Sequence, residues 1–125
     1  MNWTATAAIM LTLAVIIGAF GAHGLQGRLD AYSMNIYERA VFYHFVHALG
    51  LLAVPLLVRA QLVSRAAGEW AAWLLLAGIV LFSGSLYALA ITGIRTLGAV
   101  TPFGGGSFIA AWIVLVVCAL RSRAD

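Results

Sequence analysis

Four apolar stretches, each about the length needed to cross a bilayer, constrain this chain more than any other feature of its sequence. Only 9% of its 125 residues are charged, whereas about a quarter are charged in a typical soluble domain. A helix needs about 20 apolar residues to cross the hydrocarbon core. The sequence therefore predicts an all-α, integral membrane four-helix bundle, a single domain with short connections, whose spans cover residues 3–24, 35–59, 70–92 and 98–120.

Polar residues and prolines predict where two of these helices begin and end. Asn35 is predicted to cap the second helix. Pro55 is predicted to kink that helix or to end it early. The first span is predicted to be a retained helix rather than a cleaved signal peptide, because residues 1–12 contain no lysine or arginine and a signal peptide opens with a basic segment.

Arginine supplies all the basic residues, and its distribution predicts the orientation in the membrane. With four spans, both termini lie on one side. The arginines divide between the two sides as Arg59, Arg65, Arg121 and Arg123 beside the termini, and Arg28, Arg39 and Arg95 opposite. Cytoplasmic loops carry more basic residues, so both termini are predicted to be cytoplasmic. The positive charge is spread rather than clustered, and nucleic acid is not an expected partner.

The segment from residue 35 to 54 holds two of the three histidines inside an apolar run. On a helix, His44 shares a stripe with Tyr37, while His47 lies about 60° to one side and Tyr43 one turn before it. A histidine in hydrocarbon is costly unless its nitrogens are paired. We therefore expect both rings to face protein, where a bond to a tyrosine, a carbonyl or water would already explain them.

Three further polar residues fall in the same half of the bundle as these histidines. His23 stands at the end of the first span, and Ser83 and Ser85 lie in the third. Serine hydroxyls inside a helix commonly bond to carbonyls of the preceding turn or to a neighbouring helix. We expect that packing role for both serines.

The run TPFGGG opens the fourth span. Only 14 residues follow it before the final basic stretch, too few to cross a bilayer, so the run itself must lie at membrane depth. Thr101 is predicted to cap this helix, with proline at its first position. The glycines remove side-chain bulk, and Gly104 and Gly105 are predicted to let the second helix approach until His44 or Tyr43 reaches this helix start.

Four ordered motifs resemble those of a known family. They are GAFGAHGL from residue 18, YERAVFYHFVH from residue 37, FSGSLYALAITG from residue 82 and LGAVTPFGG from residue 97. Together they are similar to the small four-helix membrane family known as domain of unknown function 423. The resemblance implies a multi-pass protein of the bacterial inner (plasma) membrane with no assigned activity, and it carries over no catalytic or ligand residue.

Three classes of function fit these residues. A lipid- or quinone-binding module, or an accessory subunit of a membrane complex, would use the Tyr, His and Ser groups beneath an apolar wall. An oligomeric channel or transporter for a small solute or ion would be marked by intramembrane ionisable residues. A metal or haem site could combine His44 and His47 with His23 or Glu38. Nucleophilic catalysis is the weakest alternative, because the GxSxG motif is absent.

The first class is the one that we favour. It predicts a ligand whose polar end lies near His44, Tyr43 and Ser85, with no catalytic residue, no metal and no cofactor. Expected partners are membrane lipid, a quinone or lipid-like ligand, and further copies of the chain or a larger membrane complex. The full set of candidate ligand-binding residues is His23, Tyr37, Tyr43, His44, His47, Ser83, Ser85, Thr101, Gly104 and Gly105.

Overall fold

The computed structural model describes residues 1–122, and all regular structure in that range is helical. The predicted all-α membrane architecture is confirmed, because four helices are long and apolar enough to cross a bilayer. Arg123, one of the arginines predicted to lie beside the termini, falls outside the described residues. The four helices are α1 (Trp3–Leu25), α2 (Ala31–Arg59), α3 (Arg65–Thr92) and α4 (Arg95–Ser122).

The second helix begins earlier than the sequence predicted. Asp30 precedes its first turn, and the Asp30 carboxylate accepts a hydrogen bond of 2.7 Å from the backbone N–H of Ser33. This bond lowers the pKa of Asp30. The prediction that Asn35 caps the helix is therefore wrong, since a helix extends through the interface until a side chain caps its free N–H groups. The helix also continues through Pro55 to its end at residue 59.

The fourth helix starts differently from the prediction as well. A 3₁₀ turn, Arg95–Ala99, leads into an α-helical segment whose first residue is Thr101. The backbone N–H of Phe103 bonds to the carbonyl of Val100 at 3.1 Å, so the preceding turn satisfies part of this helix start. The side chain of Thr101 bonds instead to Ser85. Thr101 is thus not the cap that was predicted.

The helices pack in chain order, with α1 against α2, α2 against α3, and α3 against α4. The contacts of Ser64 with Cys118 and of Ser107 with Leu74 show that α3 and α4 are antiparallel neighbours. Small residues at the contacts let the helix backbones approach closely. The central core combines several such alanines with larger aliphatic and aromatic residues, among them Ala7, Ala48, Leu51, Ala71, Leu75, Phe108 and Ala111.

The glycine run of α4 packs against α3, which corrects the prediction that it lets α2 approach. A Cβ atom built on Gly104 would lie 2.7 Å from the Cα of Phe82, whereas one on Gly105 would be 3.8 Å from the ring of that residue. Phe82 belongs to a π-helical turn, Ile79–Ser83, inside α3. Only Gly104 is therefore needed for the close approach, and its partner is the wider turn of the neighbouring helix.

Candidate functional site

Tyr37 joins α1 to α2. Its hydroxyl donates a hydrogen bond to the carbonyl of Ile17, and its ring covers Gly21, where a Cβ atom would collide with it. Only 2% of the side chain is exposed. A tyrosine can be buried in this way because its polar end finds a partner while its ring packs.

A cavity of about 290 Å³ lies beside this tyrosine, between α1 and α2. Small residues of α1 form one wall, and an apolar stretch of α2 forms the other. Two exposed polar side chains, Gln26 and Glu38, also border it. Glu38 lies seven residues into α2, or about 10 Å along the helix, so the polar groups stand toward one membrane surface. The lining residues are Gly18, Gly21, Ala22, Gln26, Met34, Tyr37, Glu38 and Val41.

His44 links α2 to α3 in the interior of the bundle. Its Nδ1 hydrogen-bonds with the hydroxyl of Tyr87 at 2.9 Å, and the side chain is 3% exposed. Its Nε2 is the one buried side-chain polar atom of residues 1–122 without a hydrogen-bond partner of good geometry. The backbone of Met10 in α1 lies close to the ring. His44 therefore sits where three helices meet.

His47 packs in a separate aromatic cluster. Its Nδ1–H donates to the carbonyl of Tyr43 at 2.8 Å, because a carbonyl can only accept. The ring stacks on Phe108 with 3.5 Å between ring centroids and 13° between planes, and Trp112 lies 5.8 Å away. The expectation that bonds to a tyrosine or a carbonyl would satisfy the two histidines is confirmed for one nitrogen of each.

The two serines connect helices, as expected. The hydroxyl of Ser83 donates to the carbonyl of Ala40 in α2 at 2.8 Å. The hydroxyl of Ser85 pairs with that of Thr101 in α4 at 2.6 Å and also reaches the carbonyl of Phe82 at 3.0 Å. These contacts satisfy buried polar groups and hold α3 to both of its neighbours.

The candidate residues therefore do not converge on one pocket. His44 pairs with Tyr87, Tyr43 lies over His47, and Ser85 bonds to α4, while only Tyr37 borders the cavity between α1 and α2. His23 is exposed at the end of α1. Within the described part of the chain, no group of three histidine, cysteine or acidic side chains could hold a metal ion.

The sequence analysis did not identify several residues that the structure places beside the two histidines and the cavity. Tyr87 is the only tyrosine of the third span, a signal that could have identified it as a partner for a buried histidine. Phe108 and Trp112 gave no such signal, because an aromatic residue in an apolar run fits lipid as well as protein. Gln26 falls between the first two predicted spans, where a polar residue is typical of a connection.

Comparison with known proteins gives a consistent set of relatives. A family described as a protein of unknown function, DUF423, matches residues 17–105. A UPF0382 membrane protein of Staphylococcus epidermidis is 49% identical over 91% of both chains. The UPF0382 membrane protein YwdK of Bacillus subtilis is 49% identical over 91% of this chain and 92% of its own. No solved structure matches.

Proposed function

This chain belongs to the DUF423 family of membrane proteins, and from that premise we propose that it is a binding module for a lipid- or quinone-like molecule. The observation that carries the proposal is the cavity of about 290 Å³ between α1 and α2. Ligand sites commonly combine an apolar lining with a few polar groups. This cavity has that composition, with two polar side chains at one end of an apolar wall.

The size and polarity of the cavity define the part of the ligand that it would hold. Its volume is at the lower end of the usual range of about 300–1,000 Å³ for ligand pockets. It fits a headgroup or a single ring, and an attached chain would continue into the bilayer past Gly18 and Val41. The amide of Gln26 could donate to a carbonyl or ester oxygen, and the carboxylate of Glu38 could accept from a hydroxyl or an amine. The ring of Tyr37 supplies a flat wall.

A cavity-filling substitution with a matched control tests this proposal. Ala22 borders the cavity and is exposed, so Ala22→Phe would fill the space without disturbing the core. Ala19 is also exposed on α1 but does not border the cavity, and Ala19→Phe is the control. Mass spectrometry of organic extracts from gently solubilised protein should show an enriched quinone or lipid in the parent and in the control, but not in Ala22→Phe. Extracts that match the bulk host lipid in all three proteins would contradict the proposal.

Added ligand gives a second readout in the same proteins. A molecule that binds only the folded state raises the melting temperature in a concentration-dependent way. We expect this rise in the parent and in Ala19→Phe and not in Ala22→Phe. If neither quinones nor defined lipids raise the melting temperature of the parent, the binding-module proposal loses its support.

The proposed orientation places both termini in the cytoplasm of the plasma membrane. On the side of the termini, Arg59, Arg65 and Arg121 lie at helix ends, which fits the excess of basic residues in cytoplasmic segments. Fusions of alkaline phosphatase and of a fluorescent protein after Arg28 and at the C-terminus test it. Phosphatase activity is expected after Arg28 only, and activity at the C-terminus would reverse the assignment.

A further inference from the structure

A second groove lies at the other end of the bundle, where α4 ends beside the start of α3. Its volume is about 460 Å³. It is separate from the cavity between α1 and α2 and shares no residue with it. The residues that line it are Ser64, Ala67, Ile113, Val114, Val117, Cys118, Arg121 and Ser122.

We propose that this groove binds an anionic phospholipid, with a phosphate oxygen at Arg121 and an acyl chain against the aliphatic wall. The lining changes in one direction along α4. Arg121 lies in its last turn, and Ile113 lies eight residues deeper, or about 12 Å along the helix. A phospholipid has the same order of groups, from a charged headgroup at the surface to a hydrocarbon chain in the interior.

The charge in the groove favours an anionic headgroup. Among residues 1–122, Arg121 is the only charged residue that lines it, and no carboxylate of that range competes for its guanidinium in the groove. A guanidinium can bind phosphate through two parallel N–H donors. Basic pockets between membrane helices are recognised sites for anionic lipid headgroups. The nearby acid Glu69 instead accepts the indole N–H groups of Trp3 and Trp73, at 2.8 and 3.1 Å.

The polar groups of the groove leave a donor for the phosphate. The oxygen of Ser64 accepts the backbone N–H of Ala67 at 3.2 Å, which caps α3. The thiol of Cys118 also donates to this oxygen at 3.7 Å, so the hydroxyl hydrogen of Ser64 can donate to a phosphate oxygen. A neighbouring groove of about 450 Å³, on the opposite side of the end of α4, has no charged residue in its lining within the described part of the chain. The site that matches a phosphate is therefore the one that contains Arg121.

The single cysteine of the chain gives a direct test, because Cys118 lines this groove. The probe is the rate of alkylation by uncharged N-ethylmaleimide, with the protein in vesicles of phosphatidylcholine alone or with phosphatidylglycerol added. If only the empty site reacts, an occupancy of 80% slows the rate about fivefold. We expect this slowing in the parent and in Arg59→Gln, which removes an arginine from the same membrane side, and we expect it to be lost in Arg121→Gln.

The other outcomes overturn the proposal. Equal rates in both kinds of vesicle would show that no anionic lipid occupies the groove. Slowing that persists in Arg121→Gln would show that surface potential, rather than this site, is responsible. Native mass spectrometry of the parent with equal amounts of the two lipids needs no variant. Preferential retention of phosphatidylglycerol is expected, and equal retention would refute the proposal even if Arg121→Gln failed to fold.

Discussion

Replacing Gly104 with alanine should destabilise the bundle, while the same change at Gly105 should not. The added Cβ at Gly104 would lie 2.7 Å from the Cα of Phe82, whereas carbon atoms in favourable contact are about 3.5–4.0 Å apart. The atom that the Cβ meets belongs to the backbone and cannot rotate away. The α3 and α4 backbones must therefore move apart by roughly 1 Å at this point to restore a favourable contact distance. Overpacking of this kind costs about 1–3 kcal/mol.

The control variant isolates that cost. A Cβ on Gly105 would be 3.8 Å from the nearest ring atom of Phe82, which is ordinary contact. Both alanine variants gain roughly 1 kcal/mol of helix propensity, so this gain cancels in their comparison. Gly104→Ala should therefore be about 1–3 kcal/mol less stable than Gly105→Ala.

Equilibrium unfolding in mixed micelles with a denaturing detergent, followed by tryptophan fluorescence, gives the two free energies of unfolding. The same comparison distinguishes two arrangements. In the structure only Gly104 makes a close contact, with α3, whereas the sequence predicts that both glycines let α2 approach. If Gly104→Ala proved as stable as Gly105→Ala, the close contact between α4 and the π-helical turn of α3 would not exist in the membrane protein.

Three further predictions concern single hydrogen bonds. Tyr87→Phe leaves Nδ1 of His44 unpaired and should lower the free energy of unfolding by about 1–3 kcal/mol, measured in the same micelles. Ser83→Ala removes the donor to the carbonyl of Ala40 and should cost about 1 kcal/mol; no loss would show that this bond does not hold α2 to α3. The lowered pKa of Asp30 means that its cap stabilises α2 above the unfolded pKa of about 3.9 and is lost as the pH falls through the folded value. Relative to the intrinsic exchange rate at each pH, protection of the amides at the start of α2 should fall below about pH 4 in the parent and not in Asp30→Asn, which caps without titrating.

Hydropathy was sufficient to predict the number of helices and their class, but not their ends. The apolar runs stop at the edge of the hydrocarbon, whereas a helix continues through the interface until a side chain accepts its free N–H groups. Asp30 and Ser64 are those side chains. Each of the corresponding helices therefore begins four or five residues before its apolar run, at Ala31 and Arg65.

The periodicity of the sequence does not show which residues the buried polar side chains contact. The cost of burying a histidine in hydrocarbon predicts a partner for His44, but it does not identify the partner as Tyr87, which is 43 positions away. The rotation of each helix about its axis decides that choice. In the same way, the small size of Gly104 predicts a close neighbour, and only the packing order shows that α3 is that neighbour.

The most direct test of the proposed function is to locate the ligand on the chain. A photoactivatable quinone and a photoactivatable phospholipid would be cross-linked to the protein in vesicles, and the labelled peptides would be sequenced by mass spectrometry. The account predicts that one of these probes labels residues 18–26 and 34–41, the two walls of the cavity, and that Ala22→Phe abolishes this labelling. Labelling spread over the lipid-facing surfaces of all four helices, and unchanged in Ala22→Phe, would contradict it.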